Sequence, residues 1–190
     1  MIPFFKNKLF SALGGIGDGG KQSSVDQNFS KKKKLMKLAL IGGLIVLLDQ
    51  LTKAVILQSL PLHDSITVIP GFFDITHIHN PGGAFGFFAN QSPMLRKILF
   101  LFISSLAVIF VFYFYIRTPA SHPMLASGFA LIFGGAVGNM IDRIRFGKVI
   151  DFLDVYIGVW HWPVFNVADS AISIGVAVFI FHILFDKLPE

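Results

Sequence analysis

Lys31-Lys32-Lys33-Lys34-Leu35-Met36-Lys37-Leu38-Ala39-Leu40-Ile41-Gly42-Gly43-Leu44-Ile45-Val46-Leu47-Leu48-Asp49-Gln50-Leu51-Thr52-Lys53-Ala54-Val55-Ile56-Leu57 is the stretch whose reading decides the fold. Its apolar run starts at Leu38, passes Asp49 and Lys53, and reaches Leu57 without a small-residue cleavage site. It therefore reads as an uncleaved membrane span, not a removed signal peptide. The lysines ahead of it anchor this end on the cytoplasmic side. Three further segments, roughly 94–116, 121–141 and 164–186, are apolar over the about 20 residues that cross a hydrocarbon layer. With the first, taken as 36–59, they predict an all-α membrane bundle of four transmembrane helices.

Composition agrees. The chain has 190 residues, 54% of them apolar and 14% charged, against roughly 25% charged in a soluble domain. The mean hydropathy is +0.69. The absence of cysteine excludes disulfides, thiolate nucleophiles and cysteine-ligated metal. The net charge of +5 belongs to the N-terminal tail, where eight lysines up to Lys37 face only Asp18 and Asp26. The rest is close to neutral, so no nucleic-acid partner is indicated. Residues 1–34 read as a basic, disordered cytoplasmic tail and 35–190 as the membrane domain. Four crossings put both termini in the cytoplasm. Arg96, Lys97, Arg143, Arg145 and Lys148 then fall outside, against the usual charge asymmetry.

The two outer connections are the longer ones. Ser65–Ile69 and Phe72–Ile78 are rich in β-branched and aromatic residues around Pro70-Gly71, and predict a small extracytoplasmic β-rich hairpin. Residues 143–163 read as an outer loop carrying Asp151, Asp154 and Trp160-His161-Trp162, with the tryptophans at the membrane–water interface.

A helix rises 1.5 Å per residue. Counted from Lys37, Asp49 lies about 18 Å across the membrane and Lys53 about 24 Å. Asn139 is about 27 Å from the inner turn, and Asp169 is about 27 Å from Lys187. Polar groups of three helices therefore converge near the outer face, where Asp151 joins them.

Each candidate has a plain structural reading beside a chemical one. Asp49 and Lys53, at i and i+4, read as a buried ion pair. Asn80, with Pro81, Gly82, Gly83 and Ala84 after it, reads as a turn or as a wall beside an extended peptide. Gly134 and Gly138 let another helix pack closely. Asn139 and Asp142 share a helix face, and Arg143 is expected to fork onto Asp142. Asp151 and Asp169 are carboxylates near hydrocarbon, which marks them for acid–base chemistry. As structure alone, Asp151 is a solvated loop carboxylate and Asp169 a partner of a helix dipole. Spacing does not exclude Asp154. The six histidines show no paired ligand spacing and no Gly-x-Ser-x-Gly elbow is present, so no metal or cofactor is expected.

These blocks together resemble the lipoprotein signal peptidases (signal peptidase II), bacterial membrane aspartyl peptidases, from about Asp49 to Ile172. They are Asp49-Gln50-x-x-Lys53, Asn80-x-Gly82-x-Ala84-Phe85, Gly134-Gly135-Ala136-x-Gly138-Asn139-x-x-Asp142-Arg143, Val149-Ile150-Asp151-Phe152 and Phe165-Asn166-x-Ala168-Asp169. The resemblance implies a catalytic dyad of Asp151 and Asp169. It implies that Asp49, Lys53, Asn80, Gly82, Asn139, Asp142, Arg143 and Asn166 line or support the site. It further implies cleavage of prolipoproteins just before a diacylglyceryl-modified cysteine, in the bacterial inner membrane, at its outer face. Pro81 and Gly83 depart from the family pattern, and the N-terminal tail is longer than usual. Two other readings compete: a proton-coupled small transporter with a relay through Asp49, Lys53, Asp142 and Asp169, and a non-enzymatic lipid-binding scaffold.

Overall fold

The computed structural model describes residues 19–82 and 92–185. The chain divides into two compact units, Met1–Lys37 and Leu38–Glu190. Helix α1 is Gly19–Ser59, so the described part of the first unit is helical. The sequence reading has a disordered tail to residue 34. Lysine and glutamine are good helix formers, and a nucleated helix extends through such residues at little cost. The expectations for residues 1–18 and for Gly83, Ala84 and Phe85 lie outside the described residues.

Among the described residues four helices are long and apolar enough to cross a membrane: Lys31–Ser59 within α1, α2 (Pro93–Arg117), α3 (Pro123–Phe146) and α4 (Val167–Leu184). Their ends follow local chemistry. Ser92 caps α2 by accepting from the Leu95 N–H at 3.2 Å, and Pro93 occupies the first turn. Proline opens α3 as well, and Gly147 at φ 72° closes it in the left-handed conformation that favours glycine. Helix α3 runs five residues past the expected end at 141, because Arg143 and Arg145 sit in its last turn, where the dipole favours cations.

In the second unit α3 is the central helix. A Cβ on Gly134 would lie 2.7 Å from the Gly42 carbonyl oxygen of α1, and one on Gly138 would lie 2.7 Å from Asp49 Oδ2. The small-residue step therefore holds α1 against α3 and makes room for a carboxylate between them. Toward one end, Leu38, Tyr115, Leu125, Ala126, Phe129 and Ala130 form an apolar core. The outward faces stay apolar and exposed, as on α2 at Phe102, Ile109 and Phe110, which suits contact with lipid.

At the other end lies an antiparallel sheet in the order β1 (Ser65–Ile69), β2 (Phe73–Asn80), β3 (Val149–Ile157) and β4 (Trp160–His161). The β1–β2 hairpin agrees with the sequence reading. The reading of 143–163 as a loop is corrected, since nine of those residues are strand β3, paired along β2. Ile78 lies opposite Asp151 and Asp74 opposite Asp154, with a bulge in β2 between Ile75 and Ile78. Side chains alternate along a strand. Ile150 and Phe152 pack with Ile56 in a second core, so Asp151 points the other way.

Candidate active site

Asn166 sets the geometry. It is fully buried and caps α4, its Oδ1 accepting from the Asp169 N–H at 2.9 Å. Its Nδ2 donates to Asp151 Oδ1 at 2.7 Å, to Asn139 Oδ1 at 3.2 Å and to the Ile150 carbonyl at 3.3 Å. Asn139 in turn donates to Asp169 Oδ1 at 2.7 Å. The two acids, one on β3 and one in the first turn of α4, are thus joined through two asparagines, and the charge of Asp169 acts on Asp151.

Asp151 accepts a second bond from Asn80 Nδ2 at 3.0 Å, while Asn80 Oδ1 receives the Gly82 N–H at 2.9 Å. Gly82 holds φ 91°, and a Cβ there would collide with the Phe100 ring, so glycine is required to form this turn. Asp151 is buried, whereas Asp169 is only half-buried. Burial pushes the Asp151 carboxyl up to about 6, and Asp169 adds to the shift, against the opposing bonds from Asn80 and Asn166 and the charge of Lys53.

Beneath the pair is an ionic layer. Lys53 Nζ contacts Asp49 Oδ2 and Asp142 Oδ2, both at 2.8 Å, and donates to Asn139 Oδ1 at 3.0 Å. Asp49 Oδ1 accepts from the Ala168 N–H at 3.0 Å, and Asp142 Oδ2 from the Ile150 N–H at 3.1 Å. These two bonds attach α4 next to Asp169 and β3 next to Asp151 to one cluster. Asp49, Lys53 and Asp142 are each at most 2% exposed, so their charges are matched inside the protein, not by water.

The pairing of Arg143 with Asp142 is corrected. Asp142 is held by Lys53 and by Gln50 Nε2 at 2.9 Å, while Arg143 Nη1 donates to the Asn139 carbonyl at 3.3 Å. Neighbouring residues on a helix do not face each other. Arg143 still lies in the field of Asp169, Asp151 and Asp142. Asp154 is separated from the site by strand alternation and is bound to His161 Nδ1 at 2.9 Å.

The comparison with known proteins is decisive. Residues 41–185 match the model of the family described as signal peptidase (SPase) II. The chain belongs to that family. A lipoprotein signal peptidase of Desulforapulum autotrophicum is 56% identical over 158 residues, covering 83% of this chain and 98% of the relative. One from Syntrophus aciditrophicus is 49% identical over 76% of this chain and 90% of its own. A solved structure described as a bacterial membrane enzyme, obtained by the in meso method at 2.3 Å resolution, superposes with a TM-score of 0.70 at 36% identity. It covers 79% of this chain and 88% of that chain. The protein is accordingly a multi-pass bacterial membrane peptidase.

Gln50 belongs to the same buried cluster, and sequence reasoning missed it. Its amide donates to Asp49 at 3.1 Å, to the Gly138 carbonyl at 3.2 Å and to Asp142. The only available signal was its place beside Asp49 in the first block. The bridging role of Asn166 was also missed, since sequence places it no nearer to Asp151 than fifteen residues.

Proposed function

We propose that the chain is an aspartyl endopeptidase whose catalytic pair is Asp151 and Asp169, and that it cuts prolipoproteins immediately before a diacylglyceryl-modified cysteine. Cleavage of prolipoprotein signal peptides follows from family membership. The acid pair and the lipidated cysteine are the added steps. One observation carries the reading: Asn166 touches Asp151 through its amide nitrogen and the Asp169 backbone through its amide oxygen.

Two neighbouring carboxyls in a poorly hydrated site resist double ionisation and share one proton. The ionised member takes a proton from water as that water attacks the scissile carbonyl. The protonated member donates to the developing oxyanion. Collapse of the tetrahedral intermediate breaks the C–N bond, a proton passes to the leaving amine of the cysteine, and the signal fragment departs as a carboxylic acid. Asn80 and Asn166 hold Asp151 by donating to both of its oxygens, and Asn139 holds Asp169. Arg143 supplies positive charge beside both acids. The buried ions Asp49, Lys53 and Asp142, with Gln50, keep α1, α3, α4 and β3 in register, and Gly82 shapes the turn that presents Asn80.

The orientation belongs to this proposal. Lys31–Lys34 stay cytoplasmic with both termini, residues 35–190 form the peptidase unit, and the acids face the outer side. There the acyl chains of the substrate remain in lipid while its peptide lies along the sheet. The test is a synthetic diacylated peptide incubated with purified protein and excess chelator, with products identified by mass spectrometry. Cleavage at the bond before the modified cysteine is expected. Cleavage elsewhere, or loss of cleavage on chelation, rejects the assignment.

A further inference from the structure

Five cations that the proposed orientation puts outside run against the usual charge asymmetry, and three of them converge. Arg96 and Lys97 from the first turn of α2 and Lys148 from the α3–β3 connection line one cleft of about 370 Å³, together with Pro81, Met94 and Phe146. All three cations are half-buried. The Lys97 stem lies over Gly147, where a Cβ would meet Lys97 Cδ at 3.4 Å. Arg96 Nε is buried without a hydrogen-bond partner among the described residues.

Among the described residues none of the three pairs with a carboxylate. Asp49 and Asp142 are committed to Lys53, Asp154 to His161 and Asp74 to the Tyr156 hydroxyl at 3.1 Å. The linker 83–91, which joins β2 to α2, contains no Asp or Glu in its sequence. Partly desolvated cations without counter-charge favour an external anion. The cleft is otherwise mostly apolar, and exposed Met94, Leu95 and Ile98 continue from it along α2. A cationic end with an apolar track fits an amphiphile.

We propose that this cleft binds the phosphodiester headgroup of an anionic glycerophospholipid, with its acyl chains along α2. The site is distinct from the acid pair and does not depend on the catalytic assignment. Arg96 supplies a planar fork for the phosphate oxygens, and the two lysines supply point charge. Pro81 lies between Asn80, which donates to Asp151, and Gly82, so a lipid held here touches the segment that carries a site residue.

The experiment uses the full chain in neutral detergent. Binding of phosphatidylglycerol, phosphatidylcholine and inorganic phosphate is followed by native mass spectrometry and thermal unfolding. The wild type is expected to retain one phosphatidylglycerol and to melt higher with it, with little response to phosphatidylcholine or phosphate. Arg96→Gln and Lys148→Gln, on different elements, should each weaken that binding about fivefold, and together by more than about tenfold. Melting temperatures in lipid-free micelles show that the variants are folded, and either variant alone suffices if the other is not. Equal binding of phosphatidylcholine, or unchanged phosphatidylglycerol binding in a folded variant, overturns the proposal. Inorganic phosphate as effective as the lipid overturns it too, and identifies a site for free anions instead.

Discussion

Asn166→Ser separates the two tasks that the wild-type side chain performs. Serine caps a helix about as well as asparagine, so the bond to the Asp169 N–H is kept. Serine is too short to replace the amide that donates to Asp151 at 2.7 Å. A hydrogen bond to a charged group contributes about 1.5–3 kcal/mol, and its loss leaves Asp151 with Asn80 as its remaining amide donor among the described residues. If that bond holds the base in its reactive position, kcat/KM falls roughly 10- to 150-fold. Thermal stability should fall by the same amount, about 1.5–3 kcal/mol. Asn166→Ala, which also removes the cap, should cost about 1 kcal/mol more. The assay is cleavage of the diacylated peptide in micelles beside thermal unfolding of the same preparations. Wild-type kcat/KM in Asn166→Ser would refute the reasoning, because the amide bridge would then be dispensable.

Asp151→Asn should be more stable than the wild type at pH 7. The carboxyl binds its proton more tightly in the folded protein, near 6, than in the unfolded chain, near 3.8. Ionisation therefore costs stability as pH rises from about 4 to about 6, by up to about 3 kcal/mol. The advantage of the amide, reduced by its own misdirected N–H groups, should vanish below about pH 4, which unfolding measured across that range checks. Lys53→Met should destabilise by about 3–5 kcal/mol, because it leaves Asp49 and Asp142 buried without a cation; wild-type melting behaviour would contradict this. Gly138→Ala and Gly43→Ala should differ in sign. The first drives a methyl into Asp49 Oδ2, while the second meets nothing within 4 Å and gains about 0.5–1 kcal/mol of helix propensity.

The four spans were legible because hydrophobic length is a local property, and so was the β1–β2 hairpin, whose strands flank Pro70-Gly71. Depth counting along three helices also brought Asp49, Lys53, Asn139 and Asp169 into the same half of the bilayer, as helix rise is constant. Strand β3 was hidden. Its partner β2 lies about seventy residues away, as the Asn80–Asp151 bond shows, and Val149–Phe152 is buried on both faces without the alternation of a surface strand. Adjacency misled at Asp142 and Arg143, where the helix turns neighbours apart and gives the aspartate to Lys53. The choice between Asp151 and Asp154 needed strand alternation, which sequence spacing could not supply until the strand was known.

The central claim is that Asp151 and Asp169 together carry the cleavage. Its most direct measurement is single-turnover cleavage of the diacylated peptide by Asp169→Asn and by Asp151→Asn, each folded by circular dichroism and thermal unfolding. Both variants should bind the peptide yet release no signal fragment above the uncatalysed rate. Fragment release by either at a rate near that of the wild type would contradict the account.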